Sequence, residues 1–182
     1  MYRVQSLLGS GSFGSVYRCL RTDEATRASS LVALKFLRSR EDTALRAECQ
    51  ILQQHSHESI LRVADWLDAD SIQLSSDSQL KRKGSAIALE LASSDLGSLL
   101  HNSASTPVHP HLALSWATDV GAALFYLHDK EVIHRDVKPG NSLLLWNVQS
   151  APPGGFMQTQ AKLGDVVSAR VLPPATIRSR LN

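Results

Sequence analysis

From Tyr2 to Leu8 the apolar and polar positions follow a short-strand pattern, and strand-forming residues return in "VYRCL" after the glycine-rich "GSGSFGS". "RTDEATRASS" is polar and turn-like, and "LVALKFL" at 31–37 is β-rich and apolar except for Lys35. Good helix formers without Gly or Pro predict a helix from Glu41 to Gln54. "ILRVADWL" at 60–67 and "SAIALELA" at 85–92 predict two further strands. Between them, a Ser-rich and charged stretch at about 69–84 reads as a surface insert. Val120, Ala123, Leu124 and Leu127 repeat at i, i+3, i+4 and i+7, which predicts an amphipathic helix from His111 to His128. After "VIHRDVKPGNSLLL" comes a Pro/Gly/Gln-rich loop insert at about 147–161, and then "AKLGDVVSARVL" as a last strand. Strands come first and the long helix later. That order predicts an α+β fold, with a sheet-rich first lobe and a mainly helical second one.

Composition narrows the function classes. The chain has 182 residues, of which 43% are apolar and 20% charged, the balance of a soluble globular protein. A net charge of +2, with no basic run longer than "KRK" at 81–83, argues against a nucleic-acid partner. No apolar run approaches the ~20 residues of a membrane span, and nothing at the N-terminus resembles a signal peptide. Cys19 and Cys49 have no metal or disulfide spacing, so the expectation is a soluble cytoplasmic or nuclear protein with reduced thiols.

Three features carry chemistry. "GSGSFG" at 9–14 fits GxGxxG, but a strand follows it, so the loop joins two antiparallel strands with Ser12 and Phe13 at its tip. Taken alone, it suits a phosphate cover and an ordinary hairpin equally. Lys35 lies in an apolar strand, where it is either an edge lysine snorkelling to water or a charge held for an anion. On the helix at 41–54, Glu48 shares the apolar face with Ala44, Leu45, Ile51 and Leu52; a buried Lys35–Glu48 pair would satisfy both charges. In "HRDVKPGN", Pro139 and Gly140 bend the chain so that Asp136, Lys138 and Asn141 converge. An aspartate orients or deprotonates a hydroxyl, a lysine neutralises a phosphoryl group, and an asparagine binds a metal.

Together with "ECQILQQHSHESI", this set resembles the eukaryotic protein kinase domain, whose signatures occur in the same order. The resemblance implies a bilobal fold, with an N-lobe and hinge over 1–92 and a partial C-lobe over 93–182. ATP would be held by Leu8, Gly9, Gly11, Ser12, Phe13, Gly14, Val16, Ala33 and Lys35. Leu89, Glu90, Ala92 and Asp95 would form the hinge side of that site, with Leu143 as its floor. Asp136 is implied as catalytic base and Lys138 as the γ-phosphate contact, while Glu48 secures Lys35. Asn141 and Asp165 are implied as Mg2+ ligands. Lys138, two positions after Asp136, resembles the Ser/Thr-specific branch, so the implied partner is a protein bearing a Ser or Thr hydroxyl.

The chain departs from the family pattern in two places. "DVV" at 165–167 stands where the family has Asp-Phe-Gly, keeping the carboxylate but replacing the aromatic ring and the glycine. No Ala-Pro-Glu precedes Asn182, so the C-lobe reads as truncated and the helix at 111–128 is expected to expose apolar surface for a partner to cover. A competing reading is therefore a pseudokinase-like nucleotide-binding or scaffold module without turnover. A Rossmann-type oxidoreductase is set aside, because a strand follows the glycines.

Overall fold

The computed structural model describes residues 1–11, 14–37, 43–68, 85–102, 107–147 and 158–172. Ser12, Phe13 and the insert at 69–84 lie outside the described residues, as does most of the second insert, 148–157. The chain divides into two compact units, Met1–Gln53 with Arg62–Leu91, and Gln54–Leu61 with Ala92–Asn182.

The first unit is built on a five-stranded sheet of order β1-β2-β3-β5-β4. Its strands are β1 (Tyr2–Ser10), β2 (Gly14–Thr22), β3 (Ser29–Leu37), β4 (Val63–Leu67) and β5 (Ala86–Glu90), and all neighbours are antiparallel. The period of two along β3 sends Val32, Leu34 and Phe36 into a core with Tyr2, Cys19 and Ala88. Ala33 and Lys35 fall on the opposite face by the same alternation. The helix α1 (Thr43–Gln54) buries Leu45, Glu48, Cys49 and Leu52, an i, i+3, i+4, i+7 stripe. Glu48 and Leu52 were on the face expected from the sequence; Ala44 is exposed instead. Burial pushes the Cys19 thiol up to about 11, and Cys49 is likewise raised by burial, then by Glu48 and Asp65. Both are inert packing thiols.

The second unit holds β6 (Ser94–Asp95), α2 (Leu96–Asn102), α3 (Pro110–Asp129), β7 (Val132–Ile133), β8 (Ser142–Asn147), β9 (Gln158–Leu163) and β10 (Arg170–Val171). Pro110 opens α3, where its fixed φ and missing N–H cost nothing. One stripe of α3, Trp116, Ala123 and Leu127, is buried. Trp116 Nε1 donates to Thr159 Oγ1 at 2.9 Å, and Asp119 Oδ2 accepts the Ala161 N–H at 2.9 Å, which ties α3 to β9. On the far side of the helix Leu114 and Phe125 are 67% and 78% exposed. No helix among the described residues is long and apolar enough to cross a membrane.

Three local expectations change. Residues 60–62 do not extend β4: Ile60 makes a parallel bridge to Leu163, and the Leu61 N–H donates to Leu163 O at 2.9 Å. A partner a hundred residues away is invisible to local periodicity. The single last strand breaks after Leu163, because Asp165 adopts a left-handed φ of 57° and a 3-10 turn follows at Val166–Ser168. Finally, α2 was not foreseen. Its seven residues are too few to show a period, but Asp95 caps it by accepting the Ser98 N–H at 2.8 Å.

Candidate functional site

In the first unit, the register sets four side chains on one face of the sheet. Val16 pairs with Lys35, Ala33 pairs with Leu89, and Ala33 and Lys35 are two apart on β3. Lys35 lies between β2 and β5, with 7% of its surface exposed, and Glu48 has 1%. Both are buried, and Lys35 Nζ donates to Glu48 Oε1 at 2.7 Å. Burying the two together is tolerable because each supplies the other's counter-charge; burying either alone costs several kcal/mol.

The three glycines of the hairpin differ in what holds them. A Cβ at Gly14 would stand 2.0 Å from the carbonyl oxygen of Phe36, so β3 itself excludes any side chain there. At Gly9 and Gly11 nothing among the described residues lies within 4 Å of an added Cβ, and neither has a left-handed φ. The Gly11 N–H donates to Gly14 O at 2.8 Å and closes the turn. Gly14→Ala is accordingly expected to cost about 1–3 kcal/mol in urea unfolding, whereas Gly9→Ala should stay within about 0.5 kcal/mol of the parent.

Other residues implied for ATP are placed as follows. Leu8 is half exposed on β1. The Glu90 N–H is taken by Arg62 O at 3.0 Å and its Oε1 accepts the Arg62 N–H at 2.7 Å. In the second unit, both Asp95 oxygens are engaged by Ser98, through its N–H at 2.8 Å and its hydroxyl at 2.6 Å. Asp95 is thus the cap of α2. Leu143 pairs with Asp95 across β6 and β8, and its Cδ1 lies 3.2 Å from where a Cβ of Gly164 would stand.

The loop at 134–141 gathers Asp136, Lys138 and Asn141 within the second unit. Lys138 Nζ donates to Asp136 Oδ2 at 2.7 Å. Asn141 Nδ2 donates to Asp136 O at 2.8 Å and to Oδ2 at 3.0 Å. With both amide hydrogens directed at Asp136, the Asn141 Oδ1 is the group left to accept or to bind a cation. The Lys138 hydrogen bond holds Asp136 below its usual carboxylate value, and Asn141 adds in the same direction. The same contact raises Lys138, with a further contribution from the Asp165 carboxylate.

The resemblance implies His134 only as a packing neighbour of position 166, yet it also ties this loop to Asp165. It is buried between two satisfied nitrogens: Nδ1 accepts the Asp136 N–H at 3.3 Å, and Nε2 meets Gly164 O at 2.9 Å. Accepting at Nδ1 requires the neutral Nε2–H tautomer, which then donates to Gly164. The Gly164 N–H in turn donates to Asn141 O at 2.9 Å. A histidine directly after the apolar Val132 and Ile133 was the available signal. Arg135, at a left-handed φ of 67°, donates from Nε to Ser168 O and holds the far end of the 3-10 turn.

Asp165 brings a carboxylate and Asn141 an amide oxygen, hard donors of the kind that suit Mg2+, which completes its shell with water and phosphate oxygens. The residues present fit that ion. Val166, in place of the expected Phe, is 1% exposed and packs in the interior. Val167 has no left-handed φ, so the backbone here does not call for the glycine it replaces.

The protein kinase domain family matches residues 2–178. Among curated proteins, the serine/threonine-protein kinase fused of Drosophila melanogaster is 31% identical over 154 residues, covering 82% of this chain and 17% of that protein. The serine/threonine-protein kinase dkf-2 of Caenorhabditis briggsae is 32% identical over 183 residues, covering 98% of this chain and 14% of that protein. Serine/threonine-protein kinase 36 of Pongo abelii is 30% identical over 148 residues, 79% of this chain and 10% of its own length. The chain therefore spans between a tenth and a fifth of the length of these relatives. With signatures, fold and relatives in agreement, the chain belongs to the protein kinase family.

Proposed function

We propose that this chain is an ATP-dependent serine/threonine kinase domain that transfers the γ-phosphoryl group of ATP to a protein hydroxyl. The observation that carries the reading is Asp136, held in its ionised form by Lys138 and Asn141 in one short loop. An ionised carboxylate accepts the proton of a Ser or Thr hydroxyl as its oxygen bonds to the γ-phosphorus and the bond to the β–γ bridging oxygen breaks. Lys138 neutralises charge on the transferring group. Lys35, secured by Glu48, contacts the α- and β-phosphates, and the open backbone at Gly9 and Gly11 admits phosphate oxygens. Asn141 and Asp165 would hold Mg2+, which supplies charge neutralisation for the polyphosphate when bound. Val16, Ala33 and Leu89 offer the adenine an apolar surface. Asp95, whose oxygens accept from Ser98, keeps further acceptor capacity on the hinge side of the site. A scaffold without turnover has less support, because both valines after Asp165 fit their local backbone. Leu114 and Phe125 mark the exposed face of α3 where a partner would sit.

The experiment is thermal unfolding of the chain with and without Mg-ATP. Nucleotide at 100 times its dissociation constant adds about 2.7 kcal/mol, a rise of several degrees in Tm. No rise at saturating nucleotide would overturn the reading. Gly11→Ala should reduce the rise while leaving the nucleotide-free Tm nearly unchanged.

A further inference from the structure

We propose that His55 is a pH-sensitive latch that holds the segment Gln54–Leu61 on α3 while its ring is neutral and releases it when the ring is protonated. The segment leads from α1 to β4, yet packs in the second unit. Its last residues are bonded to Leu163, through Leu61 N–H at 2.9 Å and Ser59 O at 2.8 Å, whereas its contact with α3 is aromatic. His57 tilts onto Tyr126 of α3 with ring centroids 5.0 Å apart, and His55 stands edge-on to the same ring at 6.3 Å.

What distinguishes His55 is its Nδ1, which is buried without a hydrogen-bond partner among the described residues. In the neutral ring one nitrogen is a donor and the other an acceptor, so Nδ1 need be no more than an unmet acceptor. Protonation makes both nitrogens donors and adds a charge, turning Nδ1 into an unmet charged donor, the costlier state to bury. Lys130 opposes the charge as well: its Nζ lies 5.8 Å from the Tyr126 centroid and already occupies the field of that ring. A positive imidazole would gain a cation–π contact with Tyr126 only against a like charge on the same ring.

The neighbouring carboxylates do not compensate. Asp129 is paired with Lys130 at 3.0 Å, and Glu58 makes no hydrogen bond or ion pair with His55. His57 uses its Nδ1 to accept the Ser59 N–H at 3.1 Å. Burial first, and the Lys130 ammonium second, hold His55 below the usual histidine value. A base lowered on folding contributes stability above its unfolded value of about 6.5, and that stability is lost as pH falls through it and on through the lowered value. The latch is thus closed at neutral pH and opens in mild acid. The inference does not depend on phosphoryl transfer.

Hydrogen exchange of the full chain between about pH 7.5 and 5.5, corrected for intrinsic rates, tests it. The amides to follow are Ser59, Ile60 and Leu61, whose acceptors are His57 Nδ1, His57 O and Leu163 O. The expected result is a several-fold loss of protection at these amides on acidification, abolished in His55→Phe, which keeps a ring but has no proton to gain. His57→Phe should lower the baseline at Ser59 and keep the acid step. An acid step that persists in His55→Phe and vanishes in His57→Phe would overturn the proposal. So would an NMR titration of the wild-type His55 ring with a midpoint at or above the usual histidine value. That titration decides the matter even where a variant folds poorly.

Discussion

Lys35→Met is expected to lower the unfolding free energy in urea by about 3–5 kcal/mol, the range for breaking a buried ion pair from one side. The reason is the burial of its partner. Glu48 is 1% exposed and receives the Lys35 ammonium at 2.7 Å. Methionine fills much of the lysine stem's volume but leaves a carboxylate in the interior without that counter-charge. The paired change Lys35→Met with Glu48→Leu should recover most of the loss, because two apolar side chains of similar size carry no desolvation penalty. If Lys35→Met unfolds at the same urea concentration as the parent, the pair is not a structural element. In that case the lysine serves nucleotide alone.

Asp136→Asn should reduce phosphoryl transfer by about 10²–10⁴-fold while sparing the Mg-ATP-induced rise in Tm. Asparagine retains an oxygen to accept from Lys138 and Asn141, so the loop keeps its shape. What it lacks is a basic oxygen for the hydroxyl proton. Radiolabel transfer to a generic substrate protein measures this, and an unchanged rate would remove Asp136 from the chemistry. The pH profile carries a second check. Asp136 is held below its usual value, first by the Lys138 hydrogen bond, so activity should persist through mild acid and fall only as pH drops through the lowered value. Lys138→Met removes the largest cause, and the acid limb should then move up toward the ordinary aspartate value of 3.8.

Much of this was legible beforehand wherever a residue contradicted its own surroundings. A lysine in an apolar strand, a glutamate on an apolar helix face and a charged turn between apolar runs each stood out. Such conflicts between local pattern and residue type mark functional positions. Asp95 has a second use that the sequence did not announce. The resemblance implies it on the hinge side of the nucleotide site, and the structure adds that its oxygens accept from Ser98 at the start of α2, a helix too short to announce itself by period. The hydrogen bonds of His134 were not legible, because a side chain satisfied on both nitrogens differs from an ordinary core histidine only once its partners are known.

By itself, then, the sequence determined the family, the order of the first-unit strands with their helix and the long helix after them, and the identity of the charged groups, because these depend on residue type and spacing within one segment. The tertiary structure alone decided how each glycine is packed and which distant groups meet. It set Gly14 against Phe36 while leaving Gly9 and Gly11 open. It bridged Ile60 to Leu163, linked Gly164 to Asn141 and His134, and left the Nδ1 of His55 buried without a hydrogen-bond partner among the described residues. Each of these joins residues far apart in the chain, and burial, partner and backbone conformation exist only after the chain has folded.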